Sequence, residues 1–183
     1  MKTLIKFVAL LVVFTLAFNQ QANAQKMSEG TSIVRAGIGL GSSTYDYTTS
    51  ETPLILLTYE QGIKDDFLAG NISVGGTIGY KSGKYSYLDF GWNYTYFTVA
   101  GRANWHPDFI KSDKWDAYAS LLLGMEFINV SSNVGAIGAE TSGSSLLFGT
   151  MLGVRYDINE NWGAWAELGF GLGLLDVGVS YKF

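Results

Sequence analysis

The chain has 183 residues and a formal charge of −4, with 23 Gly, 11 Tyr, 11 Phe and 5 Trp but only 2 Pro and 15% charged residues. The acidic balance argues against a nucleic-acid binder, which would normally be basic, and the absence of cysteine excludes a secreted fold stapled by disulfides. Aromatic, β-branched and glycine residues in this mixture point to strands, and the length suits one domain.

Residues 1–24 read as a secretory signal peptide. Lys2 and Lys6 precede the apolar run Phe7–Phe18, and Ala22 and Ala24 stand at the small-residue positions of a cleavage site. The expected cut falls between Ala24 and Gln25, leaving 25–183 as the folded domain and removing two positive charges. The run is too short for a spanning helix of about 20 residues, and no later apolar stretch reaches that length.

Eight segments alternate with period 2, as strands facing two environments should. In 33–41, Val34, Ala36, Ile38 and Leu40 oppose Arg35 and three glycines. In 54–63, Ile55, Leu57, Tyr59 and Ile63 oppose Thr58 and Glu60. Residues 70–80 set Ile72, Val74, Ile78 and Tyr80 against Asn71, Ser73 and Thr77. Residues 93–105 set Phe97, Val99, Ala103 and Trp105 against Tyr96, Thr98, Arg102 and Asn104. In 115–127, Ala117, Ala119, Leu121, Leu123, Met125 and Phe127 oppose Asp116, Tyr118, Ser120 and Glu126. In 146–158, Leu146, Phe148, Leu152, Val154 and Tyr156 oppose Arg155 and Asp157. Residues 162–170 set Ala164, Ala166, Leu168 and Phe170 against Trp165 and Glu167. The last, 174–183, sets Leu175, Val177, Val179, Tyr181 and Phe183 against Asp176, Ser180 and Lys182. Each is read with the roughly 9–11 residues of a tilted membrane-crossing strand.

The connections alternate too. Links 42–53, 81–92 and 128–145 are long and rich in Ser, Thr, Gly and Tyr, whereas 64–69 and 159–161 are short and polar. Long loops on one side and tight turns on the other describe an outer-membrane barrel. "HPDFIKSDK" is long for a turn and the last loop is very short. An even strand count puts both termini on the periplasmic side.

Periodicity alone does not separate this from a soluble eight-stranded lipid-binding barrel, which would place its apolar face inside. The nature of each face does. The ionisable residues Arg35, Glu60, Arg102, Glu126, Arg155, Glu167, Asp176 and Lys182 all lie on the Gly/Ser/Thr face, about one per strand, as a narrow lumen filled by side chains requires. The opposite face is almost free of charge, as hydrocarbon requires. Tyr59, Trp105, Trp115, Tyr156, Trp162, Tyr181 and Phe183 collect at one end, and Tyr80, Trp92 and Phe127 at the other, as interfacial girdles. Four acids and four bases in a low-dielectric lumen are expected to pair into a network, with Arg155 and Glu167 as the best single pair.

In "PLILLTYEQGI", "GVRYDINENWGAWAELGFG" and the terminal "LDVGVSYKF" the chain resembles the small outer-membrane β-barrel family. Its architecture is OmpA/OmpX-like, of the porin-like outer membrane protein beta-barrel domain group common in Bacteroidota. The resemblance covers about residues 31–183. It implies an eight-stranded antiparallel up-and-down transmembrane barrel in the bacterial outer membrane, surrounded by outer-membrane lipid. The ending Val177, Val179, Tyr181 and Phe183 resembles the aromatic-terminated signal read by the barrel assembly machinery.

No cofactor, metal or enzymatic activity is expected. Barrel enzymes that transfer acyl groups place a Ser–His pair near the outer leaflet, whereas the single histidine, His106 in "NWHPDF", reads as a residue of a periplasmic turn, and no second His or Cys could complete a metal site. The loops "GSSTYDYTTSET" and "KSGKYSYLDF" are rich in Tyr, Ser and Thr, residues of adaptable binding surfaces. A structural or surface-interaction role is expected. The alternatives are a surface adhesin acting on a host or surface ligand through these loops, and the soluble lipid-binding barrel.

Overall fold

The computed structural model describes residues 27–42, 50–87, 90–110, 112–132 and 140–183. The signal peptide and its cleavage site lie outside the described residues, as does much of the first long loop. Among the described residues, eight long strands form one antiparallel sheet: β1 Ser32–Ser42, β2 Leu54–Lys64, β3 Gly70–Tyr87, β4 Phe90–Pro107, β5 Trp115–Ser132, β6 Glu140–Asp157, β7 Trp162–Phe170 and β8 Gly173–Lys182. Each pairs with its neighbour in sequence, and β1 also pairs with β8, from Ile33↔Lys182 to Ser42↔Gly173. The sheet is closed, each of the eight strands having a partner on both sides over part of its length.

The alternating pattern explains the closure. On every strand one set of side chains is buried and the other exposed, and the exposed set is apolar: Ile38, Leu57, Val99, Leu123, Leu152, Leu168 and Val179 all point outward. At the end carrying both termini, outward rings meet one another, with centroids 4.9 Å apart for Trp115 and Tyr156 and 5.1 Å for Trp162 and Tyr181. A second ring row crosses the barrel higher up, where Tyr80 pairs with Phe97 and Phe97 with Phe127. Trp115 and Phe127, on β5, are therefore about 40 Å apart along the strand and about 30 Å once the strand tilts. An apolar band of that height between two aromatic belts matches a bilayer core.

The strands differ from expectation in length. β3, β4, β5 and β6 have 18 residues each, against 9–11 for β1, β2, β7 and β8. Within the links expected at 81–92 and 128–145, residues 81–87, 90–92, 128–132 and 140–145 are strand. Their Gly, Ser and Tyr residues read as loop chemistry, yet they continue the pairing: Lys81 faces Tyr96 and Tyr85 faces Trp92 across β3 and β4. The Lys81 ammonium lies 5.7 Å from the Tyr96 ring, and the Tyr85 and Trp92 rings are 5.7 Å apart. Trp92 belongs to this extension and shares the face of Arg102, not the lipid-facing belt. A two-residue strand, Ser50–Glu51, pairs with Lys84 and Gly83 of β3 beyond the rim.

At the terminal end, residues 27–31 tuck under the wall. The Asn71 side-chain amide donates to the Met27 carbonyl at 2.6 Å, and the Met27 side chain is fully buried.

Candidate functional site

The lumen is where the sequence concentrates its chemistry. Along β2, β4 and β5 an apolar inward residue is followed, towards the termini, by polar ones. Leu56 precedes Thr58 and Glu60; Ala100 precedes Arg102, Asn104 and His106; Leu122 precedes Ser120, Tyr118 and Asp116. Stacked around the barrel, this order makes an apolar layer above an ionic one. The apolar layer is one packed cluster of Leu56, Ala100, Leu122, Leu147, Met151, Trp165 and Leu172.

The ionic layer centres on Glu167 of β7. Its Oε1 accepts from the Arg35 guanidinium at 2.7 Å, the Arg102 guanidinium at 2.7 Å and the Tyr118 hydroxyl at 2.8 Å. Arg35 also donates to the Tyr118 hydroxyl and pairs with Glu60 at 2.7 Å. Its guanidinium lies 5.0 Å from the Tyr118 ring centroid and 5.5 Å from that of Trp165. Such planar stacking suits arginine better than lysine. Two glycines make room for these rings. A Cβ on Gly37 would collide with the Trp165 indole, and one on Gly153 with the Tyr118 ring.

The network continues through neutral groups. Arg102 donates to Asn104 at 3.0 Å and to Ser120 at 2.7 Å, Ser120 donates to Asn104 at 2.6 Å, and Asn104 donates to Ser73 at 3.0 Å. Ser73 donates to Glu60 at 2.6 Å. His106 stands between two carboxylates, with Nε2 3.0 Å from Glu60 and Nδ1 3.0 Å from Asp116. All these groups are buried, so charge-assisted hydrogen bonds must replace the water each has lost.

The eight nominated charges fall into different surroundings. Arg35, Glu60, Arg102 and Glu167 share this network. Arg155 and Lys182 form a second group, meeting Asp157 at 3.0 Å and 3.2 Å. Asp176 is fully buried, faces Glu167 across the β7–β8 pair, and meets the backbone of Gly173. Glu126 is half-buried on the far side of the apolar layer, where the Lys81 charge acts on it. The expected Arg155–Glu167 pair does not form. In register Arg155 faces Trp165 and Glu167 faces Gly153, so Arg155 sits nearer the termini, where Asp157 is on its own strand.

His106 is no turn residue. It occupies the inward face near the end of β4 and is 3% exposed. With Ser73 at 3.0 Å and Asp116 at 3.0 Å it has the spacing of a nucleophilic triad. The chemistry does not follow, because the Ser73 hydroxyl donates to Glu60 rather than to the imidazole, and Glu60 also faces Nε2. Nor do the three acid–base groups converge on a metal, since Glu60 and Asp116 approach opposite nitrogens of the ring. Tyr118, Asp116, Asp157 and His106 went unnominated, yet all four share the parity of residues already placed in the lumen: Asp116 and Tyr118 that of Glu126, Asp157 that of Arg155, and His106 that of Arg102.

A closed eight-stranded sheet, apolar outside between aromatic belts and charged inside, defines a small outer-membrane-type transmembrane β-barrel, OmpA/OmpX-like in architecture. Solved structures share the fold. Ail, the attachment invasion locus protein of Yersinia pestis, in complex with the heparin analogue sucrose octasulfate, is similar at 17% identity and a TM-score of 0.56, over 85% of this chain and 99% of that one. A second structure of Ail is similar at 16% identity and a TM-score of 0.52, over 85% and 99%. A structure of the Yersinia pestis outer membrane protein Ail in a phospholipid bilayer nanodisc is similar at 17% identity and a TM-score of 0.47, over 85% and 100%. At these identities the likeness is one of fold. No protein-family model matches the sequence, and no curated protein is similar to it in sequence.

Proposed function

We propose that the chain is an integral protein of the bacterial outer membrane whose lumen is closed and whose role is surface interaction through the sheet standing beyond the barrel rim. Exported under residues 1–24 and inserted by the barrel assembly machinery, it keeps both termini in the periplasm, because an even number of crossings returns the chain to its starting side. The charged residues of the lumen hold the wall together and leave no water-filled path.

The observation that carries this reading is the unequal strand length, 18 residues for β3–β6 against 9–11 for the others. Half of the wall therefore rises past the rim. Among the described residues nothing pairs with its β6 edge there, since β6 pairs with β7 only from Thr150↔Phe170 towards the termini. A row of backbone donors and acceptors along 140–143, beyond the level of Phe127, can receive an extended partner segment. The ligand in the Ail complex does not transfer: the outer end of β3–β6 carries Lys81 and Lys84 against Glu126 and Glu140, so it has no cationic excess for a polyanion.

The test joins Tyr80 to Phe97, and Phe127 to Ser144, through tight turns, which removes at registered pairs what these strands carry beyond the outer ring row. The shortened barrel is expected to insert and keep its heat-shifted gel mobility while cells bearing it lose binding to host surfaces. Undiminished binding would overturn the interaction role.

A further inference from the structure

On the outer wall near the terminal end lies an apolar groove of about 460 Å³, within the roughly 300–1,000 Å³ of sites that hold one small ligand. Its floor is set by small residues. Ala119 of β5 faces Trp105 on one side and Leu152 on the other, and Leu152 faces Leu168. One register step nearer the termini, Ala117 faces Val154, which faces Ala166. Trp105 and Phe109 stand over one side of the trough, and Phe109 is 75% exposed.

We infer that this groove holds an acyl chain of a membrane phospholipid in the leaflet on the terminal side. Its depth argues for hydrocarbon. The groove lies on the same wall as the belt pair Trp115 and Tyr156, and Ala117 and Val154 continue from that pair towards the middle of the membrane. Its shape argues against a second copy. A two-fold contact would set the same concave patch against itself and enclose a void, whereas a flexible chain fills an irregular trough. The gain is van der Waals packing against a shaped wall, since the chain is already in an apolar medium. Lys114, three residues before Ala117, places a cation at the level of the phosphate.

The experiment uses the full barrel in phospholipid vesicles and reads tryptophan quenching by a lipid with brominated acyl chains. Trp165 stays in every variant because it is buried in the lumen. One variant keeps Trp105 as reporter (Trp92→Phe, Trp115→Phe, Trp162→Phe). The other keeps Trp162 (Trp92→Phe, Trp105→Phe, Trp115→Phe) and reports the general lipid shell. The brominated chain is expected at Trp105 about threefold above its bulk fraction, the size of a modest packing preference. Filling the trough with Ala119→Leu and Ala166→Leu should return Trp105 to the Trp162 level. Equal quenching at the two reporters, or no response to filling, overturns the proposal. So does a cross-linked dimer that shields Trp105 as protein density rises, which would assign the groove to a second copy. Quenching at neither reporter would sink the transmembrane reading on which the proposal rests.

Discussion

The Arg35 guanidinium and the Glu167 carboxylate are 132 residues apart in the chain and 2.7 Å apart in the lumen. Their contact joins β1 to β7 across the seam where the first strand meets the last. Glu167 Oε1 also receives Arg102 and Tyr118, so without its charge Arg35 keeps Glu60 and Arg102 keeps only the neutral Asn104 and Ser120. Replacing it by Glu167→Gln keeps the shape and removes the charge. Leaving a buried cation uncompensated, as Arg102 would be, costs about 3–5 kcal/mol. A loss of that size is expected in urea unfolding of the vesicle-embedded barrel, and a loss below about 1 kcal/mol would show that the network is not held by charge.

Asp176 predicts the opposite sign. It is fully buried, packed against Gly39 and Gly173, and directly opposite a second carboxylate, Glu167, on β7. Like charges directly opposite each other on paired strands are destabilising, and Asp176→Asn removes one of them with almost no change of volume. The variant should therefore unfold at higher urea than the parent. A destabilised variant would show that the carboxylate has an essential partner in the membrane.

The two layers predict electrical silence. An ion crossing the lumen must displace the Glu167 network and then pass the packed layer of Leu56, Leu122 and Met151. Planar-bilayer recordings should show no stable large conductance, and sustained openings would overturn the closed lumen. Met151→Ala tests the packing separately. It should cost about 2–5 kcal/mol in the same urea assay, as other truncations of buried methionine do.

The faces of this barrel are legible in the sequence because strand periodicity is local. Parity alone separates Leu57 from Glu60, or Leu168 from Glu167. Contacts across the lumen are not legible in the same way. Strands tilt in a closed sheet, so residues at matching positions on neighbouring strands stand at different heights, and this is why Arg155 meets Asp157 while Glu167 meets Arg35. His106 was obscured by the following Pro107, which reads as a turn signal although it is the last residue of β4. The raised sheet was obscured by composition, since "KSGKYSY" has turn chemistry one residue at a time and strand alternation only as a pair with "FGWNYTY".

The chain end carries the last prediction. Phe183 exchanges two backbone hydrogen bonds with Ser32, at 3.0 Å and 3.2 Å, and its ring stacks on Tyr181 with centroids 6.2 Å apart. The side chain is 63% exposed on the lipid-facing wall. Deleting it removes a small part of the finished seam, about 0.5–1.5 kcal/mol for each hydrogen bond lost, because the β1–β8 pairing still runs from Ile33↔Lys182 to Ser42↔Gly173. If Val177, Val179, Tyr181 and Phe183 act as the signal for the assembly machinery, the deletion should slow machinery-driven insertion far more than it lowers the stability of the inserted barrel. Paired assays separate the two effects: appearance of the heat-shifted form in vesicles carrying the machinery, and spontaneous refolding in detergent. Equal slowing in both would assign Phe183 to seam closure, and normal insertion in the first would remove the signal role.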